Sequence, residues 1–330
     1  MILCVAGNPA IDKLFEIDRV DLGEIHRPLE FVKRPGGKGL NVACAAGRLG
    51  AEVTVSGLLG GHAGRWIEEQ LVNEPVEGSF VWTSVETRSS LSVADRQTRS
   101  LTEFYEESPR IDGTDWEALV ANVGDLIGRA HWMTVSGTLP PGAPVDGYAA
   151  MIRAAHAAGV PVALDTRGQT LAHSLREHPT VVKVNSSEAA EVLGASVHDP
   201  ASALAACVRI RELIGGEGHA AGVTLGTDGA VIVDPLGDGY FLTLNVVGAY
   251  PVGSGDAFLA GLASGLAQGA RWSDAGRLAV GTAAANAEVA GAGVLDRERA
   301  FELAKRTVVK PLGDRSGART HLADGLTSAA

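Results

Sequence analysis

Short apolar runs alternate with longer alanine-rich stretches along most of this chain. The apolar runs contain many β-branched residues and end near glycine, asparagine or aspartate, as buried strands do; they occupy residues 2–6, 53–58, 132–136, 161–165, 181–185 and 222–225. The clearest helical stretches between them are 41–49, 146–158 and 201–213. Strands that alternate with helices form a mostly parallel sheet covered on both faces. The pattern therefore predicts an α/β fold of three layers.

Two segments, 14–33 and 81–105, depart from this pattern because polar and apolar residues alternate in them and charges are frequent. We interpret them as β-ribbons that form a small lid on the α/β body. After Gly229 a hairpin is predicted from 230–234 and 240–244, followed by two helices at about 256–268 and 273–290. We expect the folded domain to cover residues 1–310. The polar tail at 311–330 is predicted to be disordered.

Composition narrows the range of partners. The chain has 330 residues and a net charge of −11 with no basic block, which disfavours nucleic acid as a partner. Cys4, Cys44 and Cys207 lie in apolar patterns without metal-ligand spacing, so we interpret them as buried thiols. No run approaches the length of a membrane span, and the N-terminus lacks the pattern of a signal peptide. We expect a cytoplasmic protein with no membrane partner.

The strongest candidate for chemistry is the segment Pro251-Val252-Gly253-Ser254-Gly255-Asp256, which opens a predicted helix. Small residues at a helix start leave backbone amides accessible, and with the helix dipole they form an anion site. Such a site can stabilise a phosphoryl group during transfer, and Asp256 beside it could accept a hydroxyl proton. The alternative is that Asp256 only caps the helix.

A second glycine cluster, Pro35-Gly36-Gly37-Lys38-Gly39-Leu40-Asn41, also leads into a predicted helix. A lysine beside exposed amides suits a substrate with hydroxyls and a phosphate. The segment is not a Walker A loop, because glycine follows Lys38 where serine or threonine is required. The alternative is a tight turn with a solvated lysine.

Together these motifs resemble the signatures of the ribokinase-like carbohydrate kinases, the pfkB family. The resemblance covers about residues 1–310, with segments in family order at 8–12, 35–41, 87–88, 135–140, 183–188, 224–229 and 251–256. The first segment and 136–140 resemble the branch of 1-phosphofructokinases and tagatose-6-phosphate kinases. The resemblance implies a three-layer ribokinase-like fold, with a kinase domain and a small β lid.

The resemblance also implies roles for individual residues. The base falls on Asp256, and the anion hole falls on the amides of Gly253, Ser254 and Gly255. Sugar-contacting positions match Asp12, Gly37, Lys38 and Asn41. Arg88 matches an arginine that holds the substrate's existing phosphate, and Arg27 and Lys38 are further candidates for that phosphate.

On the nucleotide side, the resemblance implies that Lys183, Asn185 and Glu188 steer the ATP phosphates and hydrated magnesium. Asn185 and Glu188 would act on the metal through water. The nucleotide loop matches Thr224, Gly226 and Gly229, and Asn286 is a candidate for the adenine pocket.

Each of these residues also has a structural alternative. Glu188 could be an ordinary first-turn helix acid, and Asp12 could cap a turn. Arg27 and Arg88 could be solvated charges at the edge of a β-ribbon. The nucleotide-loop residues could serve only turns at strand ends.

The sequence departs from the family pattern at several positions. Val184 replaces a usual proline, and Ser89 and Ser90 stand where an asparagine is common. Ser108 replaces a usual glycine, and Tyr250 occupies a position that more often holds asparagine or aspartate.

The expected function is ATP-dependent phosphorylation of a sugar phosphate of the fructose 1-phosphate, fructose 6-phosphate or tagatose 6-phosphate type. ATP and Mg²⁺ are the implied cofactors, and a homodimer through the lid is expected. The alternatives are a kinase of unphosphorylated sugars or nucleosides and a non-catalytic sugar-binding regulator. A nicotinamide dehydrogenase is disfavoured, because the nearest dinucleotide fingerprint, at 216–221, follows a helix and precedes a strand.

Overall fold

A computed structural model describes residues 1–312 of the chain. Its strands are β1 (Ile2–Ala6), β2 (Ala10–Ile17), β3 (Glu30–Gly36), β4 (Val53–Gly60), β5 (Glu77–Thr83), β6 (Ser89–Asp95), β7 (Leu101–Tyr105), β8 (Trp132–Ser136), β9 (Val162–Asp165), β10 (Val181–Asn185), β11 (Ala220–Thr224), β12 (Ala230–Val233), β13 (Gly239–Thr243) and β14 (Val308–Leu312). Its helices are α1 (Lys38–Arg48), α2 (Gly61–Leu71), α3 (Gly113–Ile127), α4 (Gly147–Ala157), α5 (Gly168–Leu175), α6 (Ser186–Leu193), α7 (Pro200–Leu213), α8 (Ser254–Ala267), α9 (Trp272–Ala287) and α10 (Arg297–Arg306).

Ten strands form one large sheet in the order β14-β13-β12-β11-β10-β9-β8-β1-β4-β5. From β11 to β5 every neighbouring pair is parallel, and the β12, β13 and β14 edge is antiparallel. The carboxyl ends of the parallel strands therefore meet along one edge, where ligands bind in sheets of this kind. The mostly parallel sheet predicted from the sequence is confirmed.

Both faces of the large sheet are buried under helices. In β1, Ile2 and Cys4 join an apolar cluster that includes Phe258 of α8, whereas Leu3 joins a second cluster that includes Trp116 of α3. Alternate side chains of a strand point to opposite faces, so each strand contributes to both clusters. This explains the near-continuous apolar runs in the sequence and confirms the three-layer arrangement.

A second sheet of four strands, β3-β2-β6-β7, covers the carboxyl edge; we call it the small sheet. Its strands come from both alternating segments of the sequence, but the bounds differ from the prediction. Residues 81–83 belong to β5 and pair with β4 in the large sheet, and β2 begins already at Ala10. The alternation in 81–83 reflects an edge strand of the large sheet, which periodicity alone does not separate from a ribbon.

The C-terminal bounds also differ from the sequence prediction. Residues 311 and 312, placed in the tail, form the end of β14 and pair with β13. The rest of the predicted tail, 313–330, lies outside the described residues. Helix α8 begins at Ser254, two residues earlier than expected. Within residues 1–312, no helix is both long enough and apolar enough to span a bilayer.

Candidate active site

A cavity of about 1100 Å³ lies between the carboxyl edge of the large sheet and the small sheet. Both glycine segments reach it from helix starts. Most of the residues predicted for the site line this cavity: Asp12, Gly37, Lys38, Asn41, Arg88, Lys183, Asn185, Glu188, Thr224, Gly226, Gly229, Gly253, Ser254, Gly255 and Asp256. Positions more than 200 residues apart in sequence, such as Asn41 and Asp256, therefore share one site.

Asp256 is the third residue of α8, and the N-cap position belongs to Gly253. The Asp256 carboxylate does not bond back to the helix start; its Oδ2 accepts a hydrogen bond of 2.9 Å from the side-chain amide of Asn41. Burial raises the pKa of the Asp256 carboxyl to about 7, although the charge of Lys38 opposes this shift. The alternative that Asp256 only caps the helix is therefore wrong.

The start of α8 offers unpaired backbone amides to the cavity. Gly253 has a φ of 79°, which favours glycine, and the turn exposes the next amides. The Ser254 amide already donates to the Pro251 carbonyl at 3.1 Å. Within the described chain, the free amides are those of Gly253, Gly255 and Asp256 rather than 253–255 as predicted. We call these three amides the anion cradle.

Asp12 lies on β2 and faces the cavity from the small sheet. Its Oδ2 accepts from the Gly37 amide at 3.2 Å, and its Oδ1 accepts from the hydroxyl of Ser90. A Cβ atom at Gly36 would collide with the Asp12 carboxylate, which explains that glycine. Burial raises the pKa of Asp12 above its usual value, and these hydrogen bonds oppose the shift. Ser90, where the family often has asparagine, is thus a site residue that sequence reasoning missed.

Arg88 directly precedes β6 and lines the cavity. Its Nε donates to the side-chain oxygen of Asn8 at 3.2 Å, and its closest partners are neutral. Burial lowers the pKa of the guanidinium, and Asp12 opposes that shift. The guanidinium is partly desolvated, and the hydrogen bonds found for it among the described residues go to Asn8, so it suits an anionic ligand. The alternative of a solvated edge charge does not fit this burial.

Lys38, the first residue of α1, is paired with carboxylates. Its Nζ lies 2.8 Å from Asp165 and 3.3 Å from Glu188, and Lys183 contacts the other Asp165 oxygen at 2.7 Å. Burial disfavours the charge of Lys38, but Asp165, Asp256 and Glu188 together raise its pKa. The structure therefore supports neither a solvated lysine nor a cation reserved for the sugar phosphate.

Asp165 was missed by the sequence analysis although it ends the predicted strand 161–165. It is fully buried between Lys38 and Lys183. Burial raises its pKa, but the two lysines outweigh that effect and hold the pKa below its usual range. An aspartate at the carboxyl end of a parallel strand was the signal that could have identified it. The pairing orders both lysine side chains at the cavity wall.

Asn185 and Glu188 form a reciprocal capping box at the start of α6. The Asn185 side chain accepts from the Glu188 amide at 2.8 Å, and the Asn185 amide donates to Glu188 Oε2 at 2.9 Å. The structural alternative for Glu188 is thus realised, yet its other carboxylate oxygen faces Lys38 at the cavity. Within residues 1–312, no cluster of three or more His, Cys, Asp or Glu side chains forms a direct metal site.

The wall of the cavity that α9 forms is apolar. Val280, Ala283, Ala284 and Ala287 lie on one face of α9 and line it. Asn286 does not line it: its side chain is buried, donates to the Val252 carbonyl and accepts from the Gly293 amide, both at 2.9 Å. The prediction that Asn286 lines an adenine pocket is wrong, because its position on the helix points it away from the apolar face. Instead it braces the segment before the anion cradle.

The residues predicted for the nucleotide loop also line the cavity. Thr224 ends β11, Gly226 begins a short 3₁₀ turn, and Gly229 follows that turn and leads into β12. Gly229 has a φ of 113°, and a Cβ atom there would collide with the Leu242 carbonyl. Gly229 therefore has the structural role considered for it, while all three residues remain at the cavity.

Arg27 lies in the loop between β2 and β3 and is exposed. It is not among the described residues that line the cavity. The structure therefore does not bring Arg27 into the site of its own chain.

A family model described as pfkB family carbohydrate kinase matches residues 5–298. The chain belongs to this family. A tagatose-6-phosphate kinase from Staphylococcus epidermidis is 32% identical over 268 residues, which are 81% of this chain and 85% of that protein. This similarity supports the branch predicted from the sequence. Membership confirms that the protein is a carbohydrate kinase, a phosphotransferase with an alcohol group as acceptor, and implies ATP as the phosphoryl donor.

Solved structures support the fold independently. Phosphofructokinase-2 from Escherichia coli, in complex with substrates and products, superposes with a TM-score of 0.85 at 23% identity and covers 92% of this chain and 98% of its own. A Thermotoga maritima protein described as a possible 1-phosphofructokinase gives a TM-score of 0.85 at 20% identity, covering 95% and 100%. The ribokinase-like fold implied by the sequence motifs is confirmed.

Proposed function

We propose that this kinase transfers the γ-phosphoryl group of ATP to a hydroxyl of a ketohexose phosphate of the fructose 1-phosphate, fructose 6-phosphate or tagatose 6-phosphate type. The observation that carries the proposal is the pairing of a buried carboxylate, Asp256, with the free amides of the anion cradle in one cavity. A pure binding protein has no need for a carboxylate at that place. A sugar-binding regulator is therefore the weaker candidate.

Asp256 is proposed to be the general base. Asn41 occupies its Oδ2, which leaves Oδ1 to accept the proton from the attacking hydroxyl. The pKa of about 7 means that the ionised form is available at neutral pH and still has appreciable basicity. After transfer, the proton resides on the Asp256 carboxyl and is released to solvent when product leaves.

The anion cradle is proposed to stabilise the charge that develops on the transferred phosphoryl group. Backbone amides at a helix start are already oriented and need little reorganisation during reaction. Lys183 adds a positive charge at the same place, since a Cβ atom on Gly255 would lie 3.0 Å from its Nζ. Asp165 holds that lysine in position.

Magnesium is proposed to accompany ATP. Mg²⁺ keeps several waters, so Glu188 and Asn185 fit a role through water better than direct coordination. Both side chains line the cavity and are fixed by their capping box. When bound, the metal would neutralise charge on the nucleotide phosphates.

Arg88 is proposed to bind the phosphate already on the sugar. It is half-buried at the substrate end and has only neutral close partners, so a phosphate dianion would satisfy its guanidinium. Asp12 on the neighbouring strand is proposed to accept hydrogen bonds from sugar hydroxyls. The runner-up, a kinase of free sugars or nucleosides, leaves this arginine without a role.

A coupled ADP-release screen over the three ketohexose phosphates, free fructose, ribose and adenosine tests the proposal, with product identified by mass spectrometry. We expect a ketohexose phosphate to be the best acceptor. Asp256→Asn should bind ATP but lose about 10²–10⁴-fold in kcat. Asp125→Asn, at an exposed position on α3, serves as the matched control. A free sugar as best acceptor would favour the runner-up, and full activity of Asp256→Asn would refute the base assignment.

A homodimer through the small sheet is also proposed. Val32, Arg34, Ser90 and Ser92 line the cavity, so alternate residues of these strands face outward. The outward face includes Phe31 and Phe104, which are 55% and 58% exposed. A second copy of the chain would bury this surface.

A further inference from the structure

A hydrogen bond crosses between the small sheet and the segment that leads into α8. The Tyr250 hydroxyl donates to Glu16 Oε2 at 2.8 Å. The two residues are 234 positions apart in sequence, and each lies on a segment that supplies chemistry to the cavity. Tyr250 itself lines the cavity, whereas Glu16 is largely buried in β2.

Both partners are held in place by further contacts. The second carboxylate oxygen of Glu16 contacts Arg96 Nε at 2.9 Å, just after β6. On the other side, the Tyr250 amide donates to the Ala287 carbonyl at the end of α9, at 3.0 Å. The phenol is therefore not a loose surface group. It joins the Glu16–Arg96 ion pair of the small sheet to the segment that precedes α8.

The bond connects the strand that carries Asp12 to the segment that leads into the anion cradle. Glu16 lies four residues after Asp12 on the same strand, so both side chains point to the same face of the small sheet. Tyr250 lies three residues before Gly253 of the anion cradle. A shift of one element is thus transmitted directly to the distance between the sugar-binding carboxylate and the cradle.

The opposite margin of the small sheet has its own attachment. Arg34 on β3 pairs with Glu74, and Lys33 lies over the ring of Trp66 on α2 at 3.8 Å. These contacts anchor β3 to the α2 side of the body. The Tyr250 contact anchors β2 to the α8–α9 side, so the sheet is held from two directions over the cavity.

We propose that Tyr250 is a positioning residue whose hydrogen bond to Glu16 fixes the small sheet over the anion cradle and so aligns the acceptor hydroxyl with the phosphoryl group. The inference rests on the proposed kinase function. Without the bond, the small sheet retains its β3 attachment but moves relative to the cradle. Water then gains access to the phosphoryl group, and ATP hydrolysis competes with transfer.

The first test compares Tyr250→Phe with Tyr240→Phe. Tyr240 also donates its hydroxyl to a carboxylate, Asp234, but in β13 and outside the described cavity lining. We expect Tyr250→Phe to lower kcat/KM for the sugar phosphate about tenfold, the size of effect of one lost bond to a charged acceptor. The KM for ATP should change little, and the ratio of ADP formed to sugar phosphorylated should rise above that of the wild type.

Variants of Glu16 separate alignment from simple loss of stability. Glu16→Ala removes the acceptor of the phenol and also the contact with Arg96, so it should lower kcat/KM at least as much as Tyr250→Phe. Adding Tyr250→Phe to Glu16→Ala should cause no further loss, because the bond is already absent. Glu16→Gln keeps an acceptor for the phenol and should recover most of the activity. Additive losses, or a wild-type ADP ratio in Tyr250→Phe, would overturn the proposal.

Hydrogen exchange on the ligand-free protein gives an answer that is independent of activity. Amides of residues 17–30, which follow Glu16, should exchange faster in Tyr250→Phe than in the wild type or Tyr240→Phe. Unchanged exchange would overturn the structural role of the bond. If no sugar is phosphorylated by the wild type, the proposed function fails, while this measurement still decides whether Tyr250 holds the small sheet.

Discussion

The environment of Asp256 determines the pH range in which it can act as a base. Burial raises its pKa to about 7, so the carboxyl is protonated and inactive at lower pH. We expect log kcat/KM to rise with pH below about 7 and to level off above it. A pH–rate profile with the best sugar phosphate measures this limb. A limb near the ordinary aspartate value would contradict the environment described for Asp256.

A variant of Asn41 provides a second test of the pKa of Asp256. Its amide donates to Asp256 and lowers the pKa of the carboxyl relative to burial alone. Asn41→Leu removes the donor while keeping the approximate volume. The acid limb should therefore move to higher pH, whatever the loss in rate. A limb that stays in place would mean that Asn41 does not hold the base.

A variant of Arg88 tests whether this residue binds the phosphate already on the sugar. Arg88→Ala removes a half-buried cation whose close partners are neutral. KM should rise strongly for phosphorylated sugars and change little for free sugars, because only the former carry the anion. Steady-state kinetics on a sugar and its phosphate measures the difference. Equal effects on both would count against phosphate recognition.

At the scale of elements, the contact between α1 and β1 sets where Lys38 and Asn41 lie. A Cβ atom on Gly39 would come within 2.5 Å of the Ala6 Cα atom. Gly39→Ala should lower the free energy of unfolding by about 1–3 kcal/mol, because the helix must move off the sheet. Chemical denaturation followed by circular dichroism measures the change.

Gly124 in α3 is the matched control for Gly39. A Cβ atom there meets no other atom within 4 Å. Gly124→Ala should stabilise the protein by about 0.5–1 kcal/mol, because alanine loses less backbone entropy in a helix. If both variants changed stability alike, close packing of α1 on β1 would not explain Gly39.

At the scale of the whole molecule, the small sheet exposes Phe31 and Phe104 on the face that points away from the cavity. Phe31→Lys places a charge on the outward face, and we expect it to convert the proposed dimer to a monomer in light scattering. Val72→Lys, at a position 83% exposed after α2, is the control. A wild-type monomer, or a Phe31→Lys dimer, would refute the assembly.

The sequence predicted the large elements well because their signals are local. β1, β8 and β10 match the predicted runs residue by residue, since strands buried on both faces are continuously apolar. The small sheet was predicted in kind but not in bounds. The predicted ribbons wrongly included residues 81–83 of β5 and left out the start of β2, because only strand pairing assigns each to a sheet.

By itself, the sequence determined the alternation of strands and helices, the glycine segments at two helix starts and the aspartate that follows one of them. These depend on near neighbours along the chain. Tertiary structure alone decided that Lys38 pairs with Asp165, that Asn286 turns away from the cavity, and that Tyr250 reaches Glu16. Periodicity specifies the face on which a side chain lies, whereas its partner depends on which distant element packs against that face.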